Sequence, residues 1–331
     1  TVPGRVRLDQ DTWDRVHDAG FDLIGVPESL GGSGGTLAEA GAVVRAVSRS
    51  AVDAPLAETL LGVGPLCVAA RLTPPHGPLA LAIGTDLSPV RARTSASGWV
   101  IDGTAVRSAW AADASHLLVV ARAEDDTTIV GFVERADYDV VLRENLAGEP
   151  RDDVLFKDVL LDPAHSALLD RADAPSGNVL ALARVVQMGG ALENLLNLTV
   201  RYAQERVQFG RPIGRLQIIQ QHIAEIAGEV AAAAAAADSA ITAHGTDGAR
   251  WATGVAKVRC GIASGVATRL AHQVLGAIGF TQEHPLQLLT RRLWSWRDEQ
   301  GTEQEWATEI GRTATESGHV WAAVTSAGRR R

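Results

Sequence analysis

Arg206, Phe209 and Gln217 stand in the stretch RYAQERVQFGRPIGRLQIIQQHIAEIA, residues 201–227, where two helical patterns flank a short break. A guanidinium, an aromatic ring and an amide at such a break can together hold a phosphorylated ligand with a flat ring. Gly210 can take the left-handed conformation that ends a helix, and Pro212 blocks simple continuation. The second helix is predicted to begin near Leu216, which leaves its unpaired N–H groups and positive dipole end beside the break. Arg206 then falls in the last turn of one helix and Gln217 in the first turn of the next, so both can point at one spot. An arginine fork next to a helix N-terminus suits a pyrophosphate, and Phe209 can pack beside a flat ring. Spacing alone leaves a plainer alternative open, in which Arg206 pairs with Glu205 or Glu225 and Gln217 is only a surface amide.

The elements that must position these residues fall into three regions. Residues 1–73 read as helical: Trp13, Val16, Phe21 and Leu23 supply apolar anchors. After the break VPESLGGSGG, helical spacing resumes with Thr36 placed to cap. Gly31 to Gly35 follow no clear strand and lack the Lys-Ser/Thr of a phosphate loop, so they read as an ordinary loop. Residues 74–170 carry six short, mostly β-branched runs from PLALAIG to DDVLFKDVLL, separated by Gly, Asp, Asn and Pro, which predict a small antiparallel barrel or sandwich. Residues 171–331 read as helices over 177–207, 216–245, 249–275, 285–298 and 303–326. The run EVAAAAAAADSAITAH suits close packing in a bundle of four or more helices. The fold class is therefore α+β: an N-terminal helical domain, a middle β-domain and a C-terminal helical bundle.

Composition narrows the partners. A chain of 331 residues, 46% hydrophobic and 21% charged, can bury a large core. Its net charge of -8 argues against a general nucleic-acid or anionic membrane surface. The first residues lack the apolar core of a targeting signal, and no apolar run is read as reaching the ~20 residues that span a bilayer. Cys67 and Cys260 lie in apolar or small-residue helical patterns and read as buried free thiols, which fits a cytoplasmic protein. The terminal GRRR reads as a solvated tail. Trp294, Trp296 and Trp306 read as packing residues, and the nine histidines show no metal-ligand spacing.

The hairpin closely resembles the helix-turn-helix of the acyl-CoA dehydrogenase family, worded Arg-x-x-Phe-Gly-x-x-Ile followed by Gln. GFDLIGVPESLGGSGGTLAEAGAVVRAVSRS resembles that family's N-terminal helical domain. GWVIDGTAVRSAWAADASHLLVVAR and GEPRDDVLFKDVLLDPAH resemble its β-domain, and HQVLGAIGFTQEHPLQLLTRR resembles its Gln-x-x-Gly-Gly-x-Gly segment. The resemblance implies α,β-dehydrogenation of an acyl-CoA thioester: a glutamate removes the α-proton, a hydride passes to FAD, and electrons leave to an electron-transfer flavoprotein. It implies that Arg206, Phe209 and Gln217 contact FAD across a subunit interface, and that Gln273, Gly276 and Gly279 approach FAD from the bundle. Thr302 and Gln304 are further candidates for polar cofactor contacts. Ala277 stands where the family has its second glycine.

Two departures shape the functional expectation. The family's Glu-Gly-Thr is matched by RDEQGTEQEW, where Gln300 holds the glutamate's place, and a neutral amide cannot take a proton as a carboxylate does. The family's other glutamate position lies on the helix before the hairpin, and that stretch has no acidic residue from Asn178 through Leu192. Glu299 and Asp298 are the nearest carboxylates. The stretches that would cradle a flavin on this chain's own β-domain read LAIGTDLSPVRAR and VRSAWAADAS, where Ser108 and Trp110 either substitute for the family's contacts or serve in packing. The chain therefore resembles the glutamate-lacking subunit of heteromeric, actinobacterial sterol side-chain acyl-CoA dehydrogenases, which implies a paralogous partner in an α2β2 assembly. Two alternatives stay open: a self-sufficient homo-oligomer using Glu299 or Asp298 as base, and a flavin-free scaffold or acyl-CoA-binding protein.

Overall fold

The computed structural model describes residues 4–169 and 178–316. The basic tail and the last part of the 303–326 helical segment lie outside them. Contacts divide the chain into two compact units, one made of Thr1–Val43 with Asp53–Val179, the other of Val44–Val52 with Leu180–Arg331.

In the first unit, helix α1 (Gln10–Asp18) starts at Asp9, whose carboxylate accepts from the Thr12 amide and hydroxyl, and it buries Trp13. The glycine cluster forms a tight turn in which the Gly25 amide donates to the Gly34 carbonyl and the Gly34 amide to the Val26 carbonyl. A Cβ on Gly32 would strike the Val26 backbone. Helix α2 (Leu37–Arg49) opens with the expected Thr36 cap, reciprocated by Glu39 as a capping box. Helices α3 (Leu56–Glu58) and α4 (Gly64–Ala70) are joined by a π-helical turn over Thr59–Val63.

The strands of this unit are β1 (Leu79–Ile83), β2 (Val90–Ser95), β3 (Gly98–Ala109), β4 (His116–Ala123), β5 (Thr128–Glu134), β6 (Asp139–Val141), β7 (Arg151–Leu161) and β8 (Ser166–Leu169). They form one sheet in the order β6-β7-β3-β2-β4-β5-β8, with β1 also against β4. Most pairings are antiparallel, as expected, but β1 and β2 both run parallel to β4. The β2–β3 hairpin turns back on itself, so the next strand returns alongside β1 in the same direction. Run patterns identify strands but not their neighbours, and the parallel pairings could not be read from them. The core under the sheet gathers Ile101, Leu117, Val119, Val154 and Phe156, with Val6 and Leu8 of the N-terminal segment packed against it. Arg5 ties that segment down by a two-pronged ion pair to the fully buried Asp152 at 2.6 and 2.9 Å.

The second unit is built from α5 (Asn178–Glu205), a two-stranded ribbon of β9 (Val207–Gln208) and β10 (Arg211–Pro212), then α6 (Gln217–Ala243), α7 (Ala249–Leu275), α8 (Leu286–Asp298) and α9 (Glu303–Glu316). Small residues let these helices approach closely: the Cys260 thiol on α7 lies within 4 Å of the Ala233 and Val185 carbonyls of α6 and α5. Cys67 and Cys260 are both free and buried, and burial pushes each thiol up to about 12. Gly190 on α5 faces the Arg45 carbonyl, which seats the 44–52 segment against the bundle. Two stretches, Val179–Glu205 and Gln217–Ala243, are by length and mean hydropathy sufficient to cross a bilayer. The expectation that no run reaches that length is corrected here. In the first of them 72% of the most apolar window is packed inside the protein, against 33% in the second.

Candidate functional site

Helix α5 ends at Glu205, and the Arg206 amide closes its last turn onto the Tyr202 carbonyl at 2.9 Å. The chain then forms a ribbon, in which Val207 pairs with Pro212 and Gln208 with Arg211. Phe209 and Gly210 make its two-residue turn, both left-handed, with φ of 52° and 75°. The expectation that Gly210 ends the first helix is thus replaced: its left-handed φ serves the ribbon turn, beyond the helix end at Glu205. The Ile213 amide bonds back to the Arg206 carbonyl at 2.8 Å and closes the base of the ribbon.

Phe209 is 87% exposed. A bulky residue with positive φ is held at a cost of about 1–2 kcal/mol, and exposing its ring to water adds to that cost. Arg206 is also exposed, and among the described residues its side chain has no ion pair or hydrogen bond. The plainer alternative for it does not hold: Glu225 lies instead near Arg269, at 3.9 Å. Gln217 is the exposed first residue of α6, a helix that begins without any side-chain cap. The first-turn N–H groups of α6 and the Arg206 fork are each hydrogen-bond donors of the kind an anion takes.

The glycine segment lies beyond α7. Gly276 caps that helix at φ 64° and ψ -143°, a region that only glycine enters readily. Gly279 is buried, and a Cβ there would sit 3.1 Å from the His272 ring and 3.2 Å from Leu286. Gln273, one residue along from His272, is exposed. The fold brings this segment to the hairpin's end of the bundle. Tyr202, which closes the α5 end, meets His284 edge-on with ring centroids 6.3 Å apart, and His284 accepts from the Leu286 amide beside Gly279.

The Glu299–Thr302 turn belongs to a different cluster. The Glu299 carboxylate accepts from the Arg184 Nε at 2.6 Å, and Arg184 also donates to Gln187 at 2.5 Å. Lys257 donates to the backbone carbonyls of Trp296, Arg297 and Glu299 at 3.0, 3.0 and 2.6 Å, which caps the end of α8. Burial, followed by the neighbouring Arg184 charge, pushes the Lys257 ammonium down to about 8. Gln300 and Gly301 are both left-handed, and the Trp306 indole donates to the Gln300 carbonyl at 2.9 Å. Thr302 caps α9 in a box with Glu305, so its hydroxyl is engaged, while Gln304 is exposed on the first turn. Asp298 is exposed beside Arg297. Reading the sequence missed Arg184 and Lys257, although a cation within the apolar run LALARVVQ and another in the small-residue run GVAK are the mark of a buried, partnered charge.

In the sheet unit, Trp110 is 3% exposed and sits at φ 61° inside the core cluster, and Ser108 is buried near a register shift between β3 and β7. Both are buried, which agrees with the packing role weighed for them rather than with a flavin cradle.

A family model described as acyl-CoA dehydrogenase, C-terminal domain, matches residues 178–314. The chain is 28% identical over 286 residues to acyl-CoA dehydrogenase IpdE2 of Mycolicibacterium smegmatis, covering 86% of this chain and 81% of that protein. It is 31% identical over 233 residues to acyl-CoA dehydrogenase FadE28 of Mycobacterium tuberculosis, covering 66% and 67%. In fold it is similar to a chain of the ChsE4-ChsE5 complex from Mycobacterium tuberculosis, with a TM-score of 0.84, 23% identity, and coverage of 93% and 89%.

Proposed function

The chain belongs to the acyl-CoA dehydrogenase family, and we propose that within it this protein is a subunit that completes an FAD site at a subunit interface without supplying the catalytic base. The observation that carries this reading is the Phe209 turn with Arg206 beside it. A strained, open aromatic and an arginine with no partner among the described residues are unfavourable in isolation, and both are relieved by a ligand or neighbour that covers them.

The residues fit a dinucleotide. Arg206 and the first-turn N–H groups of α6 hold the diphosphate, Gln217 and Gln273 add amide contacts, and the bare Gly276 backbone admits close approach. The chemistry FAD supplies when bound is acceptance of a hydride from the acyl β-carbon. The matching α-proton needs a carboxylate, and among the described residues the three candidates around Gln300 do not offer one. Gln300 is an amide, Glu299 serves as counter-ion to Arg184, and the exposed Asp298 lies beside Arg297. A paralogous chain supplies the base, in an α2β2 assembly whose substrate is an acyl-CoA of the sterol-degradation type and whose electrons leave to an electron-transfer flavoprotein. The relatives named IpdE2 and the two-protein ChsE4-ChsE5 complex support this assignment.

The visible spectrum tests it. The chain purified alone is expected to lack a stoichiometric oxidised-flavin band and to gain one when co-expressed with a paralogous chain. A yellow protein that alone oxidises an acyl-CoA would overturn the assignment and return Glu299 to the role of base. A colourless protein in both preparations leaves only the flavin-free scaffold.

A further inference from the structure

Helix α1 is held lightly to its unit. Of its residues only Trp13 is buried, and the others are half-buried or exposed. Its C-terminal end is fastened by side chains instead. The His17 Nδ1 lies 2.7 Å from the carboxylate of Asp22, which is 5% exposed and stands in the turn after the helix. The His76 ring meets the His17 ring edge-on, with centroids 6.1 Å apart and planes at 82°. His76 belongs to the segment that leads into β1, and that segment is fixed to the sheet. Ser115, just before β4, donates its hydroxyl to the Pro78 carbonyl at 3.0 Å, and a Cβ on Gly77 would strike that hydroxyl. The three side chains therefore bridge α1 to a firm part of the unit, and the bridge contains a group whose charge changes near neutral pH.

We propose that His17, Asp22 and His76 form a proton-operated clasp, which fastens α1 while His17 is protonated and lets it work loose as the proton leaves. Protonated, His17 makes an ion pair with Asp22, and a positive ring also packs more favourably against a second aromatic ring. Neutral, it keeps a hydrogen bond only. The hydrogen bond to Asp22, and then the Asp22 charge, raise the His17 proton affinity; partial burial opposes them, and Asp18 and Asp14 on the same helix add to them. The charge also sits in the last turn of α1, where the helix dipole favours a cation. Because the folded-state value is raised, the pair's contribution is complete below the ordinary 6.5 and is lost as pH rises through the raised value. A helix with so little buried surface is among the first elements to open, so losing one ion pair changes how often it does. The clasp lies wholly in the sheet-containing unit and does not depend on the cofactor assignment.

Amide hydrogen exchange of the whole chain across pH tests it, with protection factors corrected for the intrinsic rate. Between about pH 6 and about pH 9, protection of the α1 amides is expected to fall about two- to fivefold, the size of a partly exposed ion pair, while that of the α7 amides does not fall. Asp22→Asn and His17→Gln are each expected to remove the step, and His76→Ala to shrink it. Wild-type α1 protection that stays flat across the window overturns the clasp, with no variant needed. A step that persists in Asp22→Asn overturns it too, since another group then drives the change. A step of full size in His76→Ala takes His76 out and overturns the three-residue clasp.

Discussion

Arg184 and Glu299, 115 residues apart, meet with the guanidinium Nε 2.6 Å from the carboxylate, and the Arg184 side chain is only 2% exposed. The pair occupies the cluster where the family resemblance leads one to look for a proton acceptor. In this pair Glu299 balances the charge of Arg184, as a counter-ion would. Glu299→Gln is expected to lower stability by about 3 kcal/mol, because it leaves a buried guanidinium without this carboxylate. Chemical denaturation checks the loss, and acyl-CoA turnover by the assembly should be unchanged once the variant is folded. A stable variant with no turnover would make Glu299 the base.

Lys257 gives a pH signature. Its folded-state value of about 8 lies below the ordinary lysine value of 10.5. Between those values the unfolded chain retains a proton that the folded chain has shed. The contribution of this group to stability therefore rises with pH across the window and is lost as pH falls through about 8. Denaturation of wild type and Lys257→Met at about pH 7 and about pH 9.5 should show the wild type gaining relative to the variant, by about 2 kcal/mol. Equal pH responses would contradict the assignment.

Arg206→Ala separates cofactor binding from scaffolding. The side chain is exposed and has no partner among the described residues, so its removal should change stability by less than about 0.5 kcal/mol. FAD should nonetheless be lost from the assembly on gel filtration. Retention of FAD would favour the flavin-free scaffold or a binding mode that bypasses the hairpin.

Two glycine-to-alanine changes in helices should have opposite signs. At Gly228, in α6, nothing lies within 4 Å of the added Cβ, and alanine should stabilise by about 1 kcal/mol through helix propensity. At Gly190, in α5, the Cβ would fall on the Arg45 carbonyl, and alanine should destabilise by about 1–3 kcal/mol as the 44–52 segment is pushed away. Thermal melts of both variants decide it.

The sequence by itself determined the mixed helix-and-sheet class, the position of the bundle helices and the Arg206–Phe209–Gln217 hairpin. These follow from local rules: residue period, capping chemistry, and turn residues such as Gly210 and Pro212 act over a few positions. It also put an amide, Gln300, before Gly301 and Thr302, where the family resemblance leads one to expect a glutamate. Only the tertiary structure brought Glu299 to Arg184 and Lys257, because these come from two other helices and no spacing rule links them. The same holds for the parallel β1–β4 and β2–β4 pairings, and for Trp110, whose burial in the sheet core could not be read from the run around it. It holds too for the meeting of Tyr202 with His284, which carries the glycine segment to the hairpin's end of the bundle. Short-range conformational preference is written in adjacent residues, whereas a buried charge or a ring contact depends on which distant segments the packed core brings within a few ångströms.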